Sequence, residues 1–409
     1  APLRVRAEPD LPSLVASCLR PFAMTLLTRG WCPSLYEPME SGDGLLARVK
    51  PPLGTLSAAQ AHLLADAATH FSSGVIELTN RANLQIRGLR DPAGFAAHIA
   101  AHGLASPDPA AERRRNVISS PLAGCDPGVA SASSALAEAV ARMLTDDTSL
   151  AALPGKFGII VDGGGALPVS QAPGDIRLQL RGDEMRVSLD GDPAACAVTD
   201  GVAAIRHLIA AFLAFGPTKR MRDLPAARVF AAAALVPDRI VWDGPLARPV
   251  GPLPGASGIG VAFGQMDAAA LHTLADCAER HGDGTLRLTP WRGVVLPGLR
   301  AAPDLPEGLI ADPEDPVLSI AACAGAPACP RATVATRRDA AWLARSGALA
   351  GGSVHVSGCA KGCAHPRPAD VTLVGAEGAY GVVWGGRADA APSRRGLSIA
   401  GIADLLRTE

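Results

Sequence analysis

The sequence predicts an α+β protein built around an internal duplication, and three observations carry that expectation. A strand–helix–strand–strand order occurs twice, about 210 residues apart. A mixed stretch of helices and strands separates the two copies. A cysteine-bearing segment with its own helix and strands follows the second copy. A chain of 409 residues is long enough for two or three domains, each with its own core.

The first copy opens at Gly44. LLARVK alternates as a strand, and Ser57 suits the N-cap of the helix SAAQAHLLADAATHF. GVIELT, the turn NRAN and LQIRGL complete it. The second copy runs GIGVAFG, a helix capped by Asp267, GTLRLT, the turn PWRG and VVLPGL. Residues Thr79 to Asn83 line up with Thr289 to Gly293. A repeat this distant implies two half-domains about a pseudo-two-fold axis rather than a solenoid. Each can bury the free sheet edge of the other. The expected organisation is an irregular lead-in over 1–22, a half-repeat over 23–100, an α+β insert over 110–245, a second half-repeat over 250–302 and a cysteine domain over 305–409. Within the insert, helices are expected at SASSALAEAVARMLTD and GVAAIRHLIAAFLAFG, and strands at KFGIIVD, DIRLQL and EMRVSL. The last segment is expected to hold a helix at RRDAAWLARSGAL and strands at SVHVSG, DVTLVG and YGVVWGG.

Composition narrows the function. At 48% hydrophobic and 19% charged the chain is globular, and its net charge of -1 gives no global attraction to nucleic acid or to an anionic membrane. Any anion site must therefore be a local concentration of Arg and Lys. No apolar run reaches the roughly 18–20 residues that a membrane span requires. Pro12, Arg20 and Pro21 interrupt the apolar patch over 11–28, and no small-residue cleavage site follows it, so a cytoplasmic protein is expected.

Four of the nine cysteines form C-x5-C…C-x3-C, as Cys323 and Cys329 in CAGAPAC and Cys359 and Cys363 in CAKGC. Two close thiolate pairs suit a cubane iron–sulfur cluster, one thiolate per iron. Zinc is the main competitor, although its cysteine pairs usually stand closer together than the first pair here. Disulfides are a third reading, which would leave Cys18, Cys32, Cys125, Cys196 and Cys277 over in a chain without a secretion signal. The second pair follows the strand VHVSG. Gly358 and Gly362 let the backbone turn its N–H groups toward sulfur. Lys361 either offsets the negative charge of a cluster or is a solvated loop lysine. His365 is a candidate metal or proton-transfer group, or a local hydrogen-bonder.

Cations gather elsewhere. Arg81 lies in TNRANLQIRGL with Asn80, Asn83 and Gln85, and Arg292 occupies the matching turn of the second repeat as its mate. Such a convergence suits carboxylates, which Arg binds bidentately. Arg113, Arg114 and Arg115 form a second knot in ERRRN, with a solvated loop as the alternative. Lys156 precedes FGIIVD. The Gly163–Gly165 run lacks phosphate-loop spacing and reads as a hairpin turn.

The cysteine spacing, together with a duplicated ferredoxin-like pair flanking an α+β insert, resembles the siroheme-dependent sulfite and nitrite reductase superfamily from about Gly44 onward. The resemblance implies a pseudo-two-fold pair of ferredoxin-like half-domains plus two α+β domains for tetrapyrrole and cluster. It implies that Cys323, Cys329, Cys359 and Cys363 hold a 4Fe-4S cluster, with Cys363 nearest the tetrapyrrole. Arg81 and Gln85 match the family's T-x-R-x-x-x-Q, Arg115 its R-N-V and Lys156 its L-P-x-K-F-K. The chain departs from the reductases at Gly158, where they carry a second lysine, and at GCAKGCAHP, where sulfite reductases usually have G-C-P-N-G-C. It is also shorter than most of them.

RGWCPSLYEPMESGDGLLARV, RLTPWRGVVLPGL and HVSGCAKGCAHP are similar to the precorrin-3B synthase branch of that superfamily. The resemblance implies precorrin-3A as substrate in the siroheme position, hydroxylated at C20 with O2 and two electrons, with a γ-lactone closed by the ring A acetate. It implies Arg81, Gln85, Arg113, Arg115, Lys156, Arg292 and Lys361 as tetrapyrrole-binding residues. It also implies a mononuclear non-haem iron, whose ligands no motif in this sequence supplies. No GxGxxG follows a strand, so an external reductase or ferredoxin drawing on a donor such as NADH is expected. A siroheme-dependent sulfite or nitrite reductase is the alternative. The internal two-fold mimics a dimer, so a monomer or weak oligomer is expected, without nucleic-acid or membrane partners.

Overall fold

The computed structural model describes residues 33–216, 220–242, 244, 247–300, 304–349 and 351–408. The lead-in, Cys18, Cys32 and the opening residues of the 23–100 half-repeat lie outside them.

Both repeat helices form where their caps predict. The first, Ala58–Phe71, starts at Ser57, whose hydroxyl accepts the Gln60 N–H at 3.1 Å while the Gln60 side chain accepts the Ser57 N–H at 3.0 Å. The second, Ala268–His281, starts at Asp267, which accepts the Ala270 N–H at 2.8 Å. Each repeat folds its own antiparallel sheet, and the two sheets exchange one strand. Thr55–Ser57, just before the first helix, pairs with Thr285–Leu288 of the second repeat. Gln265–Asp267, just before the second helix, pairs with Val75–Leu78 of the first. The exchange closes an edge of each sheet. Leu56, Leu64, Ile76, Ile86, Leu271, Leu274, Leu286 and Leu296 then fill one shared core. Burying each such side chain contributes about 1.5–3 kcal/mol.

The turns of the two repeats match in backbone conformation. Ala82 has φ 52° and Arg292 has φ 59°, a left-handed step at the same place in each turn. Arg292 therefore corresponds to Ala82 and not to Arg81. The expected pairing of the two arginines holds for the turn but not for the position.

A second duplication is visible only in three dimensions. The insert runs strand Val117–Ser119, helix Ser133–Asp146, strands Ile159–Asp162, Ile176–Arg181, Glu184–Leu189 and Ala194–Val198, then helix Gly201–Phe215. The last segment runs strand Ile320–Ala322, helix Thr336–Arg345, strands Val354–Ser357, Ala369–Ala376, Ala379–Gly386 and Arg394–Leu397, then helix Ile399–Thr408. In both sheets the first three strands are parallel and the later pairings antiparallel. The sequence reading lacked the strands Val117–Ser119, Ala194–Val198, Ile320–Ala322 and Arg394–Leu397 and the final helix, and without them the match is hidden.

A further expectation is corrected. Gly163–Gly165 is not a hairpin, because the strands on either side of it, Ile159–Asp162 and Ile176–Arg181, run parallel. The run opens a crossover held by the buried Asp162 carboxylate, which accepts the N–H of Gly164 at 3.0 Å. The ERRRN knot, for which a solvated loop was the alternative, has only Arg113 exposed. It ends the helix Pro109–Arg114, in which Glu112 and Arg114 are buried. Arg114 donates to the carbonyls of Leu144 and Thr145 at 2.9 and 3.0 Å.

Candidate active site

Cys323 is the first residue after Ile320–Ala322, and Gly358 is the first after the neighbouring parallel strand Val354–Ser357. Parallel neighbours end side by side, so both cysteine loops leave one edge of one sheet. The Gly358 N–H donates to the Cys323 sulfur at 3.2 Å. The Thr336 hydroxyl donates to the Cys323 carbonyl at 2.6 Å and lies 3.8 Å from its sulfur. A Cβ at Gly358 would stand 2.6 Å from Cβ of Ala332, so the loops meet only because this residue is glycine. Cys323, Cys329 and Cys359 are partly buried, and Cys363 is exposed. Partial burial of the Cys363 thiol raises its pKa; Lys361 opposes that, while Cys323, Cys359 and Cys329 add to it. The four thiols thus share one patch.

The insert repeats this crossing without sulfur. Ser120 follows Val117–Ser119, Gly163 follows Ile159–Asp162, and the Ser120 hydroxyl accepts the Gly163 N–H at 2.8 Å. The scaffold supplies the geometry, and the cysteines are what one copy adds to it.

The first repeat clamps the cysteine loop. The Ala328 carbonyl accepts from the Gly42 N–H at 3.1 Å, the Ser41 hydroxyl at 3.1 Å and Arg87 Nη2 at 3.2 Å. Arg87 also pairs with Asp43 at 2.6 Å and with Glu77 at 3.2 Å. Glu77 accepts from Gln85 at 3.3 Å and from Arg337 at 2.6 Å, the latter on the helix that follows the loop. Gln85 in turn accepts from Arg48 at 3.3 Å. Strand alternation explains this wall: Ala47, Val49, Ile76 and Ile86 face the helices, and Arg48, Glu77, Gln85 and Arg87 face the other way. The corresponding positions in the second repeat are Gly258, Arg287, Val295 and Pro297, and there Val295 packs with Leu122, Val129, Leu167 and Ala256. One repeat spends this face on charge, the other on a core.

The structure brings Arg81 and Lys156 together, Arg81 Nη1 donating to the Lys156 carbonyl at 2.7 Å. Arg292 is drawn to the second cysteine loop, its Nη2 donating to the Ala364 carbonyl at 3.3 Å. Burial, then Arg337, lowers the Arg292 pKa, and Glu77 opposes them. Lys361 is exposed, and Nδ1 of His365 lies 2.9 Å from the Arg367 carbonyl. Arg113 and Arg115 are engaged elsewhere. Arg113 pairs with Glu37 at 3.2 Å on the surface. Arg115 holds the fully buried Glu112 at 2.9 Å and lines a cavity of about 550 Å³ with Lys50, Asn83 and Arg142. A second cavity of about 360 Å³ is lined by Phe263, Trp291, Arg292 and His365.

Sequence reasoning missed Lys50, Glu77, Arg87, Arg337 and His355. Lys50 is buried and donates to the carbonyls of Glu112 and Arg113 at 2.6 and 3.3 Å. Burial pushes its pKa down to about 7 against the pull of Glu112, with Arg48, Arg115 and Arg81 adding to the fall. The alternation in LLARVK already places Arg48 and Lys50 on one face and was a usable signal. His355 is fully buried, and neither ring nitrogen has a hydrogen-bond partner among the described residues. Burial, then His365 and Arg292, lowers its pKa to about 4, which keeps it neutral. A histidine between the two valines of the strand VHVS was its only signal.

The Nitrite/Sulfite reductase ferredoxin-like half domain matches residues 37–92 and 256–307. The NirA protein of Mycobacterium tuberculosis shares the fold, with a TM-score of 0.63 at 20% identity over 89% of this chain and 79% of that one. A ferredoxin–nitrite reductase of Synechococcus elongatus is 25% identical over 85% of this chain and 79% of its own length. A precorrin-3B synthase of a Sinorhizobium species is 33% identical over 94% of this chain and 90% of its own. The chain belongs to the precorrin-3B synthase family. That family stands here within the nitrite and sulfite reductase superfamily, whose α+β architecture and ferredoxin-like half-domains the chain has.

In this precorrin-3B synthase family member, Gly158 stands two residues after Lys156 and donates its N–H to the buried Asp175 at 3.0 Å. A Cβ there would lie 3.8 Å from Arg81 Nη1 and 3.7 Å from Gly174, ordinary contact distances. A first side-chain carbon therefore finds room at this position.

Proposed function

We propose that this chain is an O2-dependent monooxygenase that converts precorrin-3A to precorrin-3B, hydroxylating C20 and closing a γ-lactone between the ring A acetate and C1. One oxygen atom of O2 enters the product. The other leaves as water, with two electrons and two protons from an external donor such as a reductase or ferredoxin fed by NADH. The observation that carries the reading is a cationic wall that starts on the first repeat. It runs from Arg81, Lys50 and Arg48 through Gln85 and Glu77 to Arg337 and Arg292, beside the second cysteine loop. Precorrin-3A is a flexible polycarboxylate, and such a wall suits it. Each partly exposed ion pair contributes roughly 1 kcal/mol or less and a desolvated one more, so several are needed.

The donor set supports an iron–sulfur cluster on Cys323, Cys329, Cys359 and Cys363. Among the described residues, the trio His62, Asp276 and Glu279 is the one group of three His, Cys, Asp or Glu ligand atoms within 4.8 Å of one another, so no three of these thiols are that close. Thiolates about 2.3 Å from a single tetrahedral zinc lie roughly 3.8 Å apart, whereas a cubane holds its thiolates farther apart, one per iron. The cluster, when bound, supplies single electrons. The chain's own residues hold and orient. Lys156 and Lys361 present ammonium groups that make no hydrogen bond or ion pair among the described residues. The Lys156 carbonyl aims Arg81. A ring A acetate held against C1 closes the lactone by proximity. The one such trio includes no residue of the cysteine loops or their cavities, so no ligand set for a mononuclear iron is assigned and no step is derived through it.

The test is a single turnover of precorrin-3A by anaerobically purified protein whose iron and sulfide have been counted. Isotopically labelled dioxygen should place one labelled atom in the product, and omitting O2 or the reductant should stop conversion. Conversion at an equal rate without O2 would sink the proposal. So would tightly bound siroheme accompanied by reduction of nitrite or sulfite.

A further inference from the structure

The two repeat helices share the pattern H-x-L-A-D-x-A, at His62–Ala68 and His272–Ala278. Residues four apart lie on one face of a helix, so each helix presents its His and Asp together. His62 and His272 meet between the helices, with ring centroids 5.0 Å apart and Nδ1 atoms 2.7 Å apart. Each outer nitrogen faces the aspartate of the opposite helix. His272 Nε2 lies 3.1 Å from Asp66, and His62 Nε2 lies 3.4 Å from Asp276.

The row Asp66–His272–His62–Asp276 contains three contacts, and each needs one proton. Two neutral imidazoles hold only two ring protons. Assigning them to the two shorter contacts has His272 Nε2–H donate to Asp66 and His62 Nδ1–H donate to His272 Nδ1. The lone pair of His62 Nε2 is then left pointing at the Asp276 carboxylate across 3.4 Å, beyond the usual N–H···O range. Glu279 brings a second carboxylate. One ligand atom each from His62, Asp276 and Glu279 lie within 4.8 Å of one another. A lone pair facing two carboxylates is repulsive when empty and becomes a ligand set once a cation sits between them. At the other end of the row the residue matching Glu279 is Thr69, so only one end is completed.

We propose that His62, Asp276 and Glu279 form a site for a divalent first-row transition cation, with His272 and Asp66 fixing the tautomer of His62. Two ligand atoms about 2.0–2.1 Å from a tetrahedral ion stand roughly 3.3–3.4 Å apart, which the His62–Asp276 separation of 3.4 Å matches. Nitrogen and oxygen donors suit zinc and its neighbours. Arg280 holds the other Asp276 oxygen at 3.0 Å and leaves Oδ1 for the ion. The outer histidine–carboxylate pair is the support that metal-bound imidazoles ordinarily have. The first helix supplies the imidazole and the second both carboxylates, so the ion joins the two repeats. None of these residues lines either cavity, and the inference stands apart from the proposed reaction.

Zinc is the probe, titrated calorimetrically into protein that carries its cluster, with X-ray absorption at the zinc edge to identify the donors. One zinc per chain with a nitrogen and oxygen shell is expected. Its affinity should fall at least tenfold in Glu279→Gln, an exposed position, and in Glu279→Thr, which makes the two ends alike. His62→Gln should lose the site. Zinc should raise the melting temperature of the wild type and not of Glu279→Gln. The proposal is overturned if zinc binds only through sulfur, or if Glu279→Gln and His62→Gln bind it as well as the wild type does. It is equally overturned if no zinc is taken up, and nuclear magnetic resonance showing both His62 ring nitrogens protonated would then identify a proton as the missing cation.

Discussion

A single methyl group at Gly358 is enough to part the two cysteine loops. In Gly358→Ala the new Cβ would lie 2.6 Å from Cβ of Ala332 and 3.5 Å from the Cys323 sulfur. Carbon atoms rest about 3.5–4.0 Å apart, so the loops must separate by roughly 1 Å. Ala332 cannot give way alone, since its N–H donates to the Cys329 carbonyl at 3.1 Å. Displacing it carries Cys329 along and stretches the 3.2 Å contact between the Gly358 N–H and sulfur. Overpacking of this kind costs about 1–3 kcal/mol. Losing a hydrogen bond to a charged sulfur costs about 1.5–3 kcal/mol more when the thiolate is the bound form. The variant is expected to fold, to lose about 1–3 kcal/mol in urea unfolding without metal, and to carry less iron and sulfide per chain with a weaker visible band. Gly163→Ala at the twin crossing is the control. Its Cβ would stand 2.8 Å from Ser133 and Val129, so it should lose comparable stability and keep its iron. Full cluster loading by Gly358→Ala at wild-type stability would refute the reasoning. Equal iron loss in Gly163→Ala would reduce it to a global stability effect.

Three further outcomes are expected. Glu77→Ala leaves Arg337 and one arm of Arg87 without their carboxylate in a buried setting, and breaking such a pair costs about 3–5 kcal/mol; a loss under about 1 kcal/mol in urea unfolding would show the network to be slack. Lys50 has a folded pKa near 7 against an ordinary 10.5, so the unfolded chain binds more protons between those values and stability rises with pH across that window. The gain is of the order of 5 kcal/mol, and Lys50→Met should lack it; parallel stability–pH curves for the two proteins would argue against a depressed Lys50. Arg81→Ala should weaken precorrin-3A binding by roughly 1–2 kcal/mol with iron content unchanged, measured by substrate titration, and wild-type affinity would return Arg81 to the role of a turn residue.

Much of the fold was legible because its signals are local. Ser57 and Asp267 cap helices whichever partners the helices find, and the alternation in LLARVK or LQIRGL marks a strand before any neighbour is known. The cysteine loops announced themselves by spacing. The cationic wall was half legible. Arg81 and Gln85 stood out by crowding, but Arg115 looked equally available until Glu112, buried three residues earlier, was found to hold it. Glu77 and Arg337 are 260 residues apart, and no local pattern ties them together. The crossing of Cys323 with Gly358 was hidden by the shortness of Ile320–Ala322, since three residues carry too little periodicity to read.

The sequence by itself determined the repeat, the caps, the four thiols and the family resemblance, because each is a matter of residue type at a fixed local spacing. Tertiary structure decided what local spacing cannot encode. It decided that the repeats exchange strands, that Gly163–Gly165 opens a parallel crossover, and that the cysteine domain and the insert are two copies of one plan. It also decided which cations are paired with a buried carboxylate, as Arg115 is with Glu112 and Arg87 and Arg337 are with Glu77. These outcomes depend on which distant strand occupies an edge and which buried carboxylate lies within about 3 Å of a guanidinium. The chain settles both only by closing its cores.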